Sequence, residues 1–438
     1  MIIMLHNTPS YVKRDILYGL IAHLTQPEMT LITGSRQVGK TVLLDMLHKE
    51  LQKQDKPQVS ILRYNLDLEA DWHLFQDQTA FIALLKERSQ QHFLYVLIDE
   101  AQKAKEAARF FKGVYDSQLP VKLILTGSAS FELKAKLKES MAGRKRIFHV
   151  HPFSFLEYVR AHDEVLAQLL ERGAAPSPHS LQMLIEHYKQ YMVYGGYPRV
   201  VLEKSPTAKL ALLQEIYSSY INNDIVGFLN IRRKKDFGKL AKLLAAQTGQ
   251  LVNIQELSNS VRISAKTVQK YLEALEDTFI ITYVSPLYRN ARQEVVKAGK
   301  VYFNDLGFRH ALLGTFESFD ERVDKGSVLE NAVFQELLQS ADQPPLKIQF
   351  WRTLAKTEID FVVTSGTKLI PIEVKAQLSR MNIPRALQEF AKKFGVREAL
   401  LATMHKPQNP FDTRGALHVG AVYPFELHTQ LDLMLSRP

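Results

Sequence analysis

One octapeptide, Gly34-Ser35-Arg36-Gln37-Val38-Gly39-Lys40-Thr41, constrains this chain of 438 residues more than any other feature. It fits the pattern G-x-x-x-x-G-K-[ST] and lies between an apolar run, Met29 to Thr33, and an amphipathic stretch, Thr41 to Leu51. A strand, a glycine-bearing loop and a helix in that order turn backbone N–H groups toward phosphate oxygens, with the positive end of the helix behind them. All eight residues of the loop are therefore expected to hold a nucleoside triphosphate. Lys40 should reach the β- and γ-phosphates, and the Thr41 hydroxyl should ligate magnesium. ATP and Mg2+ are the expected cofactors.

The surrounding pattern agrees. Val59 to Leu66, Phe93 to Ile98 and Val121 to Thr126 are apolar runs separated by helix-like stretches, the arrangement of a parallel α/β sheet. The second of them ends in Asp99-Glu100. Two carboxylates at the carboxyl end of a strand suit metal work, Asp99 in the magnesium shell and Glu100 orienting or activating the attacking water; such a pair can also begin a helix. Thr126 follows the third run, and its hydroxyl would sit beside the γ-phosphate as a sensor if that strand lies between the other two. Arg144, in Gly143-Arg144-Lys145-Arg146, is a candidate transition-state arginine supplied by a neighbouring subunit; the alternatives are a solvated basic loop or an anion contact within the chain.

Composition narrows the remainder. The chain has no cysteine, which excludes disulfides, thiolate zinc sites and cysteine nucleophiles and fits a reducing, cytoplasmic setting. No apolar run approaches the roughly 18 residues of a membrane span, so no membrane partner is expected. The length suggests several cores in series. The expected organisation is an α/β nucleotide-binding core at 1–150, a helical lid at 151–235, a winged helix-turn-helix at 236–316 and a second α/β domain at 317–438. Arg232 to Lys300 holds 13 basic and 6 acidic residues, a surplus of 7 within a net charge of +10, which points to DNA. Within it, helices are expected near Lys239 to Ala246, Ile254 to Ser260 and Ser264 to Leu275. Ser264 caps the third, Val268, Leu272 and Leu275 face inward, and Lys266, Thr267, Gln269 and Lys270 face out. Arg262, Lys266, Gln269 and Lys270 are the candidate DNA-binding residues; the alternative for such a segment is a lid or a subunit contact.

The last domain places Glu330 on a helix near Val328 to Leu338. Asp360 lies on a strand near Glu358 to Val363, and Glu373 and Lys375 lie on a strand near Leu369 to Lys375. Side chains two apart on a strand share a face, so Glu373 and Lys375 point together. The set resembles the PD-(D/E)XK nuclease core. That resemblance implies either a second divalent metal held by Asp360 and Glu373, with Glu330 as an outer ligand and Lys375 positioning a water, or a domain that persists as an inactive DNA-binding platform.

Several blocks together resemble the prokaryotic AAA-type ATPases often grouped with archaeal ATPases. They are the loop itself, Leu97 to Gln102, Leu125 to Ser130, Ala142 to Arg144, Pro152 to Glu157, Gly195-Gly196-Tyr197-Pro198 and Tyr302 to Gly307. Asn304-Asp305-Leu306 and Met141 depart from that family's usual residues. The resemblance implies an AAA-type core, ATP hydrolysis and a homo-oligomer, a ring among its forms. The expected function is an ATPase that couples nucleotide state to DNA binding or remodelling. Two alternatives stand beside it: an ATP-gated signalling or defence switch with an effector or protein-binding C-terminal domain, and a metal-dependent DNA nuclease gated by ATP.

Overall fold

The computed structural model describes residues 11–53, 59–90, 92–128, 143–221, 234–288, 298–340 and 346–436. Met141, Ala129, Ser130, Ala142, Arg232 and Arg233 lie outside these residues. Contacts divide the chain into two compact units, residues 1–34, 38–150 and 160–165 in the first and residues 35–37, 151–159 and 166–438 in the second. No helix among the described residues is long and apolar enough to cross a membrane.

The first unit is built on five parallel strands: β1 (Met29–Gly34), β2 (Val59–Asn65), β3 (Phe93–Asp99), β4 (Val121–Ser128) and β5 (Lys145–Val150). Their order is β2-β3-β4-β1-β5. All of β1 is buried, as is the end of β3 from Val96 to Asp99, because parallel strands covered by helices on both faces need unbroken apolar runs. Four of the strands match apolar runs visible in the sequence. The fifth, β5, opens on Lys145-Arg146 and buries only Phe148 and Val150, the mark of an edge strand rather than an interior one. Helices Gln78–Arg88 and Ala107–Asp116 lay Phe81, Phe110 and Phe111 against the sheet with Phe75, forming an aromatic-rich core. Asp77 begins the first of them by accepting hydrogen bonds from the N–H groups of Thr79 and Ala80, satisfying donors that no helical carbonyl reaches.

In the second unit, helix Pro178–Tyr194 ends at Gly195, whose φ of 74° suits a residue without Cβ. A Cβ there would also lie 2.3 Å from Asp305 Oδ1. Asp305 accepts hydrogen bonds from the N–H of Gly196 at 2.7 Å and of Phe308 at 2.8 Å, capping helix Leu306–Leu313 while holding the Gly195-Gly196 turn. The Asn304-Asp305-Leu306 departure is thus the place where two helices are tied.

Three helices follow, Lys234–Ala246, Ile254–Val261 and Ala265–Asp277, and then an antiparallel pair, β6 (Ile281–Val284) and β7 (Lys300–Phe303). Ser264 caps the third helix, its hydroxyl accepting from Thr267 N at 3.1 Å. Val268 and Leu275 are buried there, but Leu272 is only half-buried. The inward position belongs instead to Tyr271, which meets Phe237 edge-on at 5.1 Å.

A six-stranded mixed sheet completes the unit: β8 (Lys347–Arg352), β9 (Glu358–Ser365), β10 (Lys368–Lys375), β11 (Glu398–Thr403), β12 (Phe411–Arg414) and β13 (Leu417–Val422). The order is β12-β13-β11-β10-β9-β8, with β8, β9 and β10 antiparallel and β10, β11 and β13 parallel. Helices Lys325–Ser340 and Leu427–Ser436 cover one face through Phe334 and Leu431, and helix Arg385–Phe394 covers the other through Leu387 and Phe390. Asn331, fully buried, joins helix Lys325–Ser340 to β7. Its amide donates to Phe303 O and accepts from Phe303 N, both at 2.8 Å, and accepts from the Thr248 hydroxyl at 2.8 Å. Asn331→Leu would leave the Phe303 N–H and C=O without partners in the core. A loss of roughly 2–4 kcal/mol is expected in urea unfolding of the full chain, and a change below ~0.5 kcal/mol would contradict the clamp.

Candidate functional site

The loop after β1 is shaped by close packing. A Cβ on Gly34 would lie 2.2 Å from Val150 O, so the approach of β5 admits only glycine at the mouth of the loop. Gly39 (φ 94°) and Gln37 (φ 63°) both adopt the left-handed region, curling the segment through Ser35, Arg36 and Val38 into helix Lys40–Lys53. Arg14, a residue not singled out from the sequence, is buried and donates from Nη1 to Val38 O at 2.9 Å, holding the loop from behind. Lys40 is buried, its ammonium on Gly34 O at 3.0 Å, and Thr41 is exposed at the start of the helix.

β4 lies between β1 and β3, so Thr126 sits beside the carboxyl end of β3. Its hydroxyl donates to Asp99 Oδ1 and accepts from the Glu100 N–H at 3.1 Å. One side chain therefore fixes both acidic residues. Asp99 is buried, and Glu100 takes left-handed backbone angles (φ 54°, ψ 44°), a conformation that a non-glycine residue holds only where neighbours enforce it. Gln102 donates to the Glu100 carboxylate. These residues fit a magnesium nucleotide. The Lys40 ammonium rests on a backbone carbonyl that a phosphate would outcompete, the Thr41 hydroxyl is open, and Asp99 is held ready by Thr126. Arg144 pairs through Nε with Asp116 Oδ1 at 2.8 Å, and its carbonyl accepts from Met29 N at 2.9 Å.

On the three-helix segment, Arg262, Lys266, Gln269 and Lys270 are all exposed. Arg262 ends helix Ile254–Val261 in the left-handed region, and the other three share the outer face of helix Ala265–Asp277.

The second sheet gathers a different set. Asp360 Oδ2 accepts from Val374 N at 2.8 Å, and Lys375 Nζ meets Glu373 Oε1 at 2.7 Å. Glu330 accepts at Oε1 from Lys300 Nζ at 3.0 Å and from the Tyr302 hydroxyl at 2.6 Å. Lys300 Nζ also lies 2.6 Å from Glu358 Oε1. The sequence located Asp360, Glu373, Glu330 and Lys375, and the fold brings them together. It missed Lys300, Tyr302 and Glu358, for which residue type alone gave no signal. Among the described residues no group of three or more acidic or histidine side chains is placed to hold a metal ion. Lysine ammoniums stand against the carboxylates instead.

Burial and the neighbouring Asp360 push both Glu330 and Glu373 up to about 7, and burial raises Asp360. Burial works against the charge on Lys300, but Glu330, Asp360 and Glu358 together outweigh it and hold its pKa above the ordinary value. For Glu373 the folded state binds a proton that the unfolded chain releases near its ordinary 4.5, so its contribution to stability falls as pH rises from there through about 7. Glu373→Gln should therefore gain on the wild type between pH 5 and pH 8, by on the order of 1 kcal/mol or ~2–4 °C in midpoint. Thermal scans of both proteins across that range test it, and a constant difference would count against a burdened Glu373.

Comparison with known proteins places these features. Residues 26–159 match the family model of an AAA domain. Residues 185–318 and 325–422 match two domains of unknown function, DUF8612 and DUF4143. An uncharacterized protein of Haemophilus influenzae is 27% identical over 376 residues, covering 84% of this chain and 87% of its own. An uncharacterized protein of Methanocaldococcus jannaschii is 23% identical over 389 residues, 87% and 81% of the two chains. Domain III of the Thermotoga maritima replication initiation protein DnaA aligns with a TM-score of 0.28 at 12% identity, over 47% of this chain and 94% of that one, a likeness too slight to argue from. With the loop and the sheet order described above, residues 26–159 carry an AAA-type P-loop ATPase domain.

Proposed function

We propose that the chain hydrolyses ATP with magnesium and that its nucleotide state governs DNA binding by the second unit. The observation carrying the first half is the Thr126 hydroxyl bonded to both Asp99 and Glu100, on the strand adjacent to the one that ends in the loop. Lys40 would give up Gly34 O for phosphate oxygens, and Thr41 and Asp99 would hold the magnesium ion. Magnesium, when bound, neutralises charge on the β- and γ-phosphates. Glu100, its backbone fixed by Thr126, orients the attacking water and takes its proton. Arg144 would act on a neighbouring subunit's nucleotide only by giving up Asp116, which makes assembly and arginine release one event in a homo-oligomer.

For the second half, Arg262, Lys266 and Lys270 offer three exposed cations on or beside one helix face, and Gln269 stands between two of them with an amide able to hydrogen-bond a phosphate or a base edge. The excess positive charge of the surrounding segment supports a polyanion as the partner. A signalling switch built on the same nucleotide site would hydrolyse slowly and ignore DNA, so turnover measured with and without duplex, single-stranded and branched DNA separates the two readings.

Lys40→Ala should lose nucleotide affinity, whereas Glu100→Gln should keep it and lose turnover by roughly 10²–10⁴-fold. Equilibrium binding of a fluorescent ATP analogue and steady-state phosphate release distinguish them; Glu100→Gln turning over at the wild-type rate refutes the role. Lys266→Ala/Lys270→Ala should weaken duplex binding at every sequence and flatten the salt dependence by about 0.9 in log–log slope per contact removed. An unchanged slope in a salt titration would remove these lysines from the interface.

A further inference from the structure

One of the cations set against the acidic cluster of the second sheet comes from outside that sheet. Lys300 belongs to β7, in the strand pair that follows the three helices, yet its side chain is only 2% exposed and ends between Glu330 and Glu358. Three restraints hold it there. Its backbone pairs with Val284 in β6 and bridges to Leu251. Phe303, three residues along β7, is clamped on both backbone groups by Asn331. The ammonium also lies 5.5 Å from the centre of the Phe350 ring. A cation fixed by strand pairing and a buried amide clamp is part of the fold, not a surface lysine that happens to reach inward.

Charge counting gives this placement a consequence. The cluster holds four carboxylates, Glu330, Glu358, Asp360 and Glu373, and three cations, Lys300, Lys375 and Arg352, the last 2.7 Å from Glu358 Oε2. Formally one negative charge is left. With all seven groups ionised a divalent ion would turn that −1 into +1, and it would stand against the Lys300 ammonium already placed between Glu330 and Glu358. Glu373 Oε2 is the cluster's buried oxygen without a hydrogen-bond partner among the described residues. A magnesium ion asks for about six oxygens in near-octahedral array, and Lys300 already engages one oxygen each of Glu330 and Glu358.

We propose that Lys300 is a built-in counter-ion that closes the carboxylate pocket, so that the C-terminal domain of the folded chain takes no divalent metal there and acts on its ligands by binding rather than by metal-dependent cleavage. The ammonium stands between Glu330 and Glu358 and within electrostatic reach of Asp360, and the β6–β7 pair, supplied by the preceding segment, locks it in. This inference does not depend on the ATPase reading.

The test is a Mn2+ titration of the nucleotide-free full chain, followed calorimetrically and by water-proton relaxation. Wild type and Asp360→Asn should give superimposable curves, because no ion binds through Asp360. Lys300→Met removes the ammonium at nearly constant volume and should create one site per chain, roughly tenfold or more tighter than any wild-type site, that disappears in Lys300→Met/Asp360→Asn. A wild-type site abolished by Asp360→Asn overturns the proposal, as does a folded Lys300→Met that binds no additional ion. If Lys300→Met fails to fold, the comparison of wild type with Asp360→Asn decides the matter alone.

Discussion

The pairing of β4 between β1 and β3 is the constraint on which the nucleotide-binding end of this protein depends. A parallel sheet aligns the carboxyl ends of its strands, so the loop after β1 and the acidic pair after β3 open on the same edge. The intervening strand then determines how far apart they stand and what lies between them. Thr126 fills that place with a group that both donates and accepts. The donated proton goes to Asp99 and the lone pair to the Glu100 N–H, which locks a left-handed backbone at Glu100 that would otherwise relax. Valine in the same position would have the right shape and neither bond.

Much of this was legible in the sequence, because phosphate binding by a loop requires particular residues in a particular order and buried parallel strands require unbroken apolar runs. The loop from Gly34 to Thr41 and the runs at β1 to β4 are therefore visible as written. β5 is not, since an edge strand is shielded on fewer sides and its first two residues are charged. Thr126 was legible as a hydroxyl near the nucleotide, but not as a bridge between Asp99 and Glu100; the bridge depends on register across two strands, which residue order does not encode locally. The same limit explains Arg14, which reaches Val38 O from 24 residues away. On helix Ala265–Asp277 the periodicity was right and the width of the buried stripe was not. Leu272 and Tyr271 are adjacent in sequence, and packing against Phe237 selects the larger ring.

In the second unit the legible part was the set of acidic residues on the helix and strands, and the illegible part was what neutralises them. Nothing in the chemistry of a single lysine after a glycine near position 300 marks it as buried. The tertiary pairing does: Lys300 enters through β7, and β7 is held by an asparagine from the helix that also supplies Glu330. Glu330 and Asn331 are neighbours on that helix, so the same element fixes the backbone of β7 and receives the charge it delivers. Clamp and counter-ion come from one junction between the two segments, and that is why the Lys300 counter-ion is absent from any reading of either segment alone.

The two sites in this chain thus solve the problem of buried negative charge in opposite ways. At the end of β3 the Thr126 hydroxyl donates to Asp99 and the Gln102 amide to Glu100, neutral donors that orient a carboxylate without cancelling its charge. Such a site retains its attraction for a cation arriving with a polyphosphate. In the second sheet the carboxylates face ammonium and guanidinium groups of the chain itself, and the attraction is spent within the fold. What differs between the two is the charge of these donors, neutral at the end of β3 and cationic at Glu330, Glu358 and Glu373 in the second unit.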